Sequence, residues 1–142
     1  MKTQFTDILK IEKNRLQTLE RELKFNQAEI ERLNFEIAQK EAEILQIEYP
    51  ISGNFSIYQQ YNISMHNMKQ NIEDLKNKKL LVNDQIGRLR QKMIEVNKSI
   101  EKYKYLENQV LEAHRLELKR LEEKNLDEIA VMLYKSQHQE ID

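Results

Sequence analysis

One proline constrains this chain more than any other residue. Pro50 stands in the segment Tyr49-Pro-Ile-Ser-Gly-Asn54, the one turn-like stretch in a sequence that otherwise reads as helix. Proline cannot continue a helix and pushes the residue before it out of the α region. Gly53 supplies a flexible point, and Asn54 or Ser56 can cap whatever helix follows. The second glycine, Gly87, lies inside a helical pattern and costs that helix about 1 kcal/mol relative to Ala.

On either side of Pro50 the apolar residues recur with heptad spacing. Before it, Leu9, Leu16, Leu23, Ile30, Ile37 and Ile44 occupy one seam position. The companion position holds Phe5, Glu12, Leu19, Asn26, Leu33, Lys40 and Ile47. After Pro50 the seam runs Tyr58, Tyr61, Met65, Met68 and onward to Ile100 and Tyr103, with Lys79 as its one polar member. Six or more uninterrupted heptads are the signature of a coiled coil. The seams are 43 and 46 residues long and joined by a short turn. That arithmetic predicts an all-α fold: a two-helix antiparallel coiled-coil hairpin with a longer second helix overhanging at the C-terminus. The expected organisation is one coiled-coil domain over residues 1–142. It has helix 1 at about 3–48, a turn at 49–55 and helix 2 at about 56–140, unpaired beyond about 104.

Register follows from the same spacing. Phe5 is expected opposite Ile100, Ile47 opposite Tyr58, and Asn26 opposite Lys79 in a polar layer. Residues 1–48 carry eight basic and ten acidic side chains (net −2), and residues 57–103 carry nine and five (net +4). Complementary arms suggest the flanking pairs Glu29 with Lys78, Glu20 with Arg90, and Glu41 with Lys69. Exposed pairs contribute well under ~1 kcal/mol each, so they bias alignment more than they stabilise.

Composition excludes several functions. With no Cys the chain has no disulfide and no thiol chemistry, which fits a reducing compartment. His66, His114 and His138 are scattered without metal-ligand spacing, and neither glycine opens a phosphate loop. A two-helix rod offers no concavity for a substrate. No enzyme activity, cofactor or metal is expected. The net charge of −1 and the acidic arm facing the basic run Lys76–Lys92 argue against nucleic acid. Met1 to Leu16 has no apolar signal-like core, and Ile129–Tyr134, the longest apolar run, is far short of the ~20 residues of a membrane span.

Two regions are expected to bind partners. At the tip, Tyr49, Ile51, Phe55, Tyr58 and Tyr61 gather aromatic and aliphatic groups, and Tyr49, Ile51 and Phe55 have no place in the seam. Such amphipathic aromatics make good anchors. The second region is the leftover helix. There Leu111, Leu118, Leu126, Ile129, Met132 and Leu133 follow a changed register, and an isolated helix exposing such residues is adhesive.

The segment Leu116-Glu-Leu-Lys-Arg-Leu-Glu-Glu-Lys-Asn-Leu-Asp-Glu-Ile-Ala130 and the opening turn Phe5-x-x-Ile8-Leu9-x-Ile11 resemble the flagellar export family FliJ. The hairpin with a longer second helix is similar to it throughout; the sequence likeness is sharp over about Lys119 to Ala130. The resemblance implies a soluble part of the bacterial flagellar type III export apparatus, cytoplasmic and peripheral to the inner membrane at the flagellar base. It implies a stalk whose end enters the pore of the hexameric export ATPase (FliI-like). Its other surfaces would contact the export gate (FlhA-like) and export chaperones. Lys119, Arg120, Glu123, Leu126, Asp127 and Glu128 are then expected to face the ATPase, and the aromatic tip the gate. Injectisome stalks share this plan. The alternative is a generic coiled-coil scaffold that self-associates through its C-terminal helix, against a stalk that stays monomeric or weakly oligomeric. A prefoldin-like chaperone fits poorly, because the Pro50–Asn54 turn is too short for the β-hairpins that such subunits need to assemble.

Overall fold

The computed structural model describes residues 2–141, with side chains through His138. It contains two helices, α1 (Thr6–Gln46) and α2 (Phe55–Ile141), of 41 and 87 residues. They pack against each other as an all-α hairpin. Among the described residues there is no strand.

Local chemistry accounts for the helix ends. The Thr3 hydroxyl accepts from the Phe5 amide at 3.1 Å, and the Thr6 hydroxyl accepts from the Thr3 amide at 2.9 Å. These bonds order the turn that leads into α1, and the Thr6 amide donates back to the Thr3 carbonyl at 3.2 Å. Asp7 adds a carboxylate in the first turn, where the helix dipole favours it. At the start of α2 the Asn54 side chain caps the helix, its Oδ1 accepting from the Ile57 amide at 3.2 Å. Between the helices Gly53 takes φ +147°, a region that side-chain-bearing residues avoid, and a Cβ there would lie 2.6 Å from Ile57 Cδ1.

The chain divides into two compact units, Arg15–Val96 and Met1–Asn14 with Asn97–Asp142. Within Arg15–Val96 the core is a ladder of seam residues. Leu33, Ile37, Ile72 and Leu75 form one buried cluster, flanked by Ile44 and Val82. Burying each such side chain contributes about 2 kcal/mol. In the other unit Leu9 and Ile100 are buried, and the Phe5 and Tyr103 rings pack with centroids 6.0 Å apart.

Every seam position from Phe5 to Ile44 and from Tyr58 to Tyr103 is buried or half-buried, including the polar members Glu12, Asn26, Lys40 and Lys79. Ile47 departs from the pattern. It lies past the end of α1 and is 37% exposed, and Tyr49 instead meets Tyr58, centroids 5.7 Å apart. At the other end the Phe5 ring meets that of Tyr103. Phe5 and Tyr49 both flank α1, so the contacts at its two ends are made by residues just outside the helix. Pairing also continues past residue 104: Thr3 and Thr6 both donate to Glu107 Oε2, at 2.8 and 2.9 Å.

Two of the three expected flanking pairs take other partners. Glu41 pairs with Lys76 at 3.6 Å rather than with Lys69. Glu29 forms its ion pair with Arg32, one turn away on its own helix, and Lys78 only adds to the field that keeps the Glu29 carboxyl below the usual range. Asn26 donates to the Glu22 carbonyl at 2.8 Å, bonding back to its own helix. For exposed groups a neighbour three or four residues along costs less ordering than one across the seam.

Candidate partner-binding surfaces

Burial along α2 stops at Leu111. From Glu112 to His138 every residue is exposed, so α1 covers none of this stretch, about 40 Å of helix. The stretch is braced from within. Arg115 donates to Glu112 at 2.6 Å and Arg120 to Glu117 at 2.8 Å, each a two-point contact at i,i+3 spacing. The Arg115 hydrogen bond holds the Glu112 carboxyl below the usual carboxylate range, and Arg120 does the same for Glu117.

The six residues expected to face the ATPase are distributed along this helix. Arg120 is engaged with Glu117. Lys119 and Glu123 are exposed one to two turns before Leu126. Asp127 and Glu128 line a shallow concavity of about 390 Å³ with Lys124, Val131 and Met132. Leu126 is exposed and lies outside that lining.

A second feature is stronger. Ile129, Ala130, Val131, Met132, Leu133 and Tyr134 are consecutive, and all six are exposed. At 100° per residue, six consecutive positions surround the helix. Leu118, Ile129 and Met132 share one side, whereas Leu116, Val131 and Tyr134 point the opposite way. The result is an apolar collar. Ile129, Met132 and Leu133 are among the residues expected on the uncovered helix; exposure of Ala130, Val131 and Tyr134 as well extends the apolar surface around it. At the end of the collar the Tyr134 ring meets the His138 ring at a tilt, centroids 3.9 Å apart.

The tip separates into two kinds of residue. Tyr58 and Tyr61 are half-buried and receive the Tyr49 ring, which meets Tyr61 edge-on with centroids 5.1 Å apart. Ile51 and Phe55 point away, 97% and 79% exposed. Beside Phe55 a groove of about 320 Å³ is lined by Tyr58, Gln59, Asn62, Ile63 and His66.

No described helix is long and apolar enough to cross a membrane, and no group of His, Asp or Glu among the described residues could hold a metal ion. Residues 1–139 match the flagellar FliJ protein family. The chain belongs to the FliJ family. No curated protein and no solved structure matches it. Membership associates the chain with protein export by the bacterial flagellum, in which FliJ-family proteins are non-catalytic components. The coiled-coil hairpin agrees with that role.

Proposed function

We propose that this FliJ-family chain is a stalk of the flagellar export apparatus, acting in the cytoplasm at the inner-membrane face of the flagellar base. Its C-terminal helix enters the ring of the export ATPase. Its hairpin tip faces the export gate, and export chaperones dock on its exposed surfaces. The carrying observation is the collar Ile129–Tyr134, apolar on every side of an uncovered helix. A helix apolar all round needs to be enclosed. A groove or a single partner helix covers one stripe, whereas a ring covers all of them. Asp127, Glu128 and Lys124 border the collar and suit polar contacts at the mouth of such a ring.

The test is stimulation of the ATPase and formation of its hexamer, measured with the full chain. Leu126→Ala with Asp127→Ala, and separately Ile129→Asp with Leu133→Asp, are expected to abolish stimulation while helix content is kept. Unchanged stimulation by both variants overturns the assignment.

Self-association through the same helix is the competing reading, favoured by the stripe Leu118, Ile129 and Met132. Pairing two copies along that stripe leaves Leu116, Val131 and Tyr134 uncovered. Light scattering separates the two readings: a stalk keeps a monomer mass as concentration rises, and a self-pairing helix does not.

A further inference from the structure

Between Lys40 and Lys69 the chain holds no Lys or Arg, in a protein that is 33% charged. Its acidic groups there are Glu41, Glu43 and Glu48. Glu41 turns toward Lys76, which leaves the exposed Glu43 and Glu48 to set the sign of the tip. The same stretch exposes Leu45, Tyr49, Ile51, Phe55, Ile57 and Ile63. An apolar, cation-free, acidic-edged tip on a highly charged coiled coil is a composition break that the seam does not require.

The loop is also held at both ends. Before it, the Tyr49 ring is packed against Tyr58 and Tyr61. After it, Asn54 caps α2, and Gly53 sits in a conformation closed to other residues with Ile57 against it. Pro50 fixes a further backbone angle between these points. Ile51 is therefore presented at the apex by a rigid turn, and a preordered loop loses little entropy on binding.

We infer that the tip is a preformed plug: Ile51 and Phe55 anchor it in an apolar pocket of a partner protein bordered by Lys or Arg, and Tyr49 is a positioning residue that holds the turn. This rests on the reading that the tip faces the export gate. A lipid surface is the weaker occupant, because an anionic leaflet repels Glu43 and Glu48 and the tip offers no cation to it.

Binding of the full chain to the purified export gate protein (FlhA-like) tests this, with ATPase stimulation as the control for an intact C-terminal helix. Ile51→Ala with Phe55→Ala is expected to weaken gate binding at least about 10-fold. Helix content and ATPase stimulation stay unchanged, since both side chains are exposed. Tyr49→Ala weakens binding and Tyr49→Phe keeps it, because packing of the ring and not its hydroxyl holds the loop. Glu43→Gln with Glu48→Gln weakens binding and flattens its salt dependence. Wild-type affinity in the Ile51/Phe55 variant overturns the plug and leaves the gate reading standing. No gate binding by the wild-type chain, with ATPase stimulation intact, overturns the gate reading and the occupant with it. Binding to phosphatidylglycerol-containing vesicles that is lost in the Ile51/Phe55 variant overturns the protein pocket in favour of lipid.

Discussion

Thr6 donates from its hydroxyl to Glu107 Oε2 at 2.9 Å, across 101 positions of sequence. Thr3 reaches the same oxygen at 2.8 Å, so one half-buried carboxylate gathers the approach to α1 onto α2. Removing the acceptor leaves two half-buried hydroxyls without it. Glu107→Ala is expected to cost about 1 kcal/mol. Amide exchange checks it: residues 5–10 lose protection, and the seam around Ile72 and Leu75 keeps its own.

Among the described residues Leu33 and Leu89 are the most fully enclosed large side chains, 1% and 0% exposed. Truncating either to Ala removes buried methyl groups and opens a cavity, for a loss of about 3 kcal/mol. Leu45→Ala, at an exposed position near the end of α1, is expected to stay within about 0.5 kcal/mol. Urea denaturation of the three variants checks the contrast.

The two glycines answer to substitution with opposite signs. A Cβ at Gly87 meets nothing within 4 Å, so Gly87→Ala is expected to stabilise the chain by about 1 kcal/mol through helix propensity. Gly53→Ala forces a side chain into a positive-φ position against Ile57 and is expected to destabilise by about 1 kcal/mol. Thermal melts of the two variants should move in opposite directions.

Acid is expected to loosen the uncovered part of α2 first. Arg115 and Arg120 hold the Glu112 and Glu117 carboxyls below their ordinary value of 4.5. A carboxyl with a depressed folded value contributes stability that is complete above its unfolded value and lost as pH falls through the folded one. Residue-resolved helix content over 112–120 should therefore hold steady down to about pH 4.5 and fall below it. Glu112→Gln with Glu117→Gln should remove that pH dependence and lower helix content at neutral pH.

Much of this architecture was readable from residue type alone. Heptad spacing reports which side chains face the partner helix, because a helix returns the same face every seven residues whatever surrounds it. Seam positions as unlike as Glu12, Lys40 and Ile72 all ended at least half-buried. Pro50 located the fold-back for an equally local reason, since it removes a backbone donor and fixes its own φ.

What spacing could not supply was anything decided by competition between nearby partners. Glu29 had Arg32 and Lys78 within reach and took the neighbour on its own helix. Asn26 donates to the Glu22 carbonyl one turn back on its own helix, a bond that seam spacing does not show. Tyr49 belongs to no heptad, and only the folded tip shows its ring set against Tyr58 and Tyr61, which turns three aromatic residues into a support and leaves Ile51 and Phe55 as the outward groups.

By itself the sequence determined that the chain is a helical hairpin, where it turns and which faces meet, because helix periodicity and proline geometry are properties of short stretches of backbone. The tertiary structure decided which side chains meet at the two ends of α1 and which of several nearby partners a polar group takes. Those depend on distances between side chains that the fold brings together, and no local pattern encodes a distance.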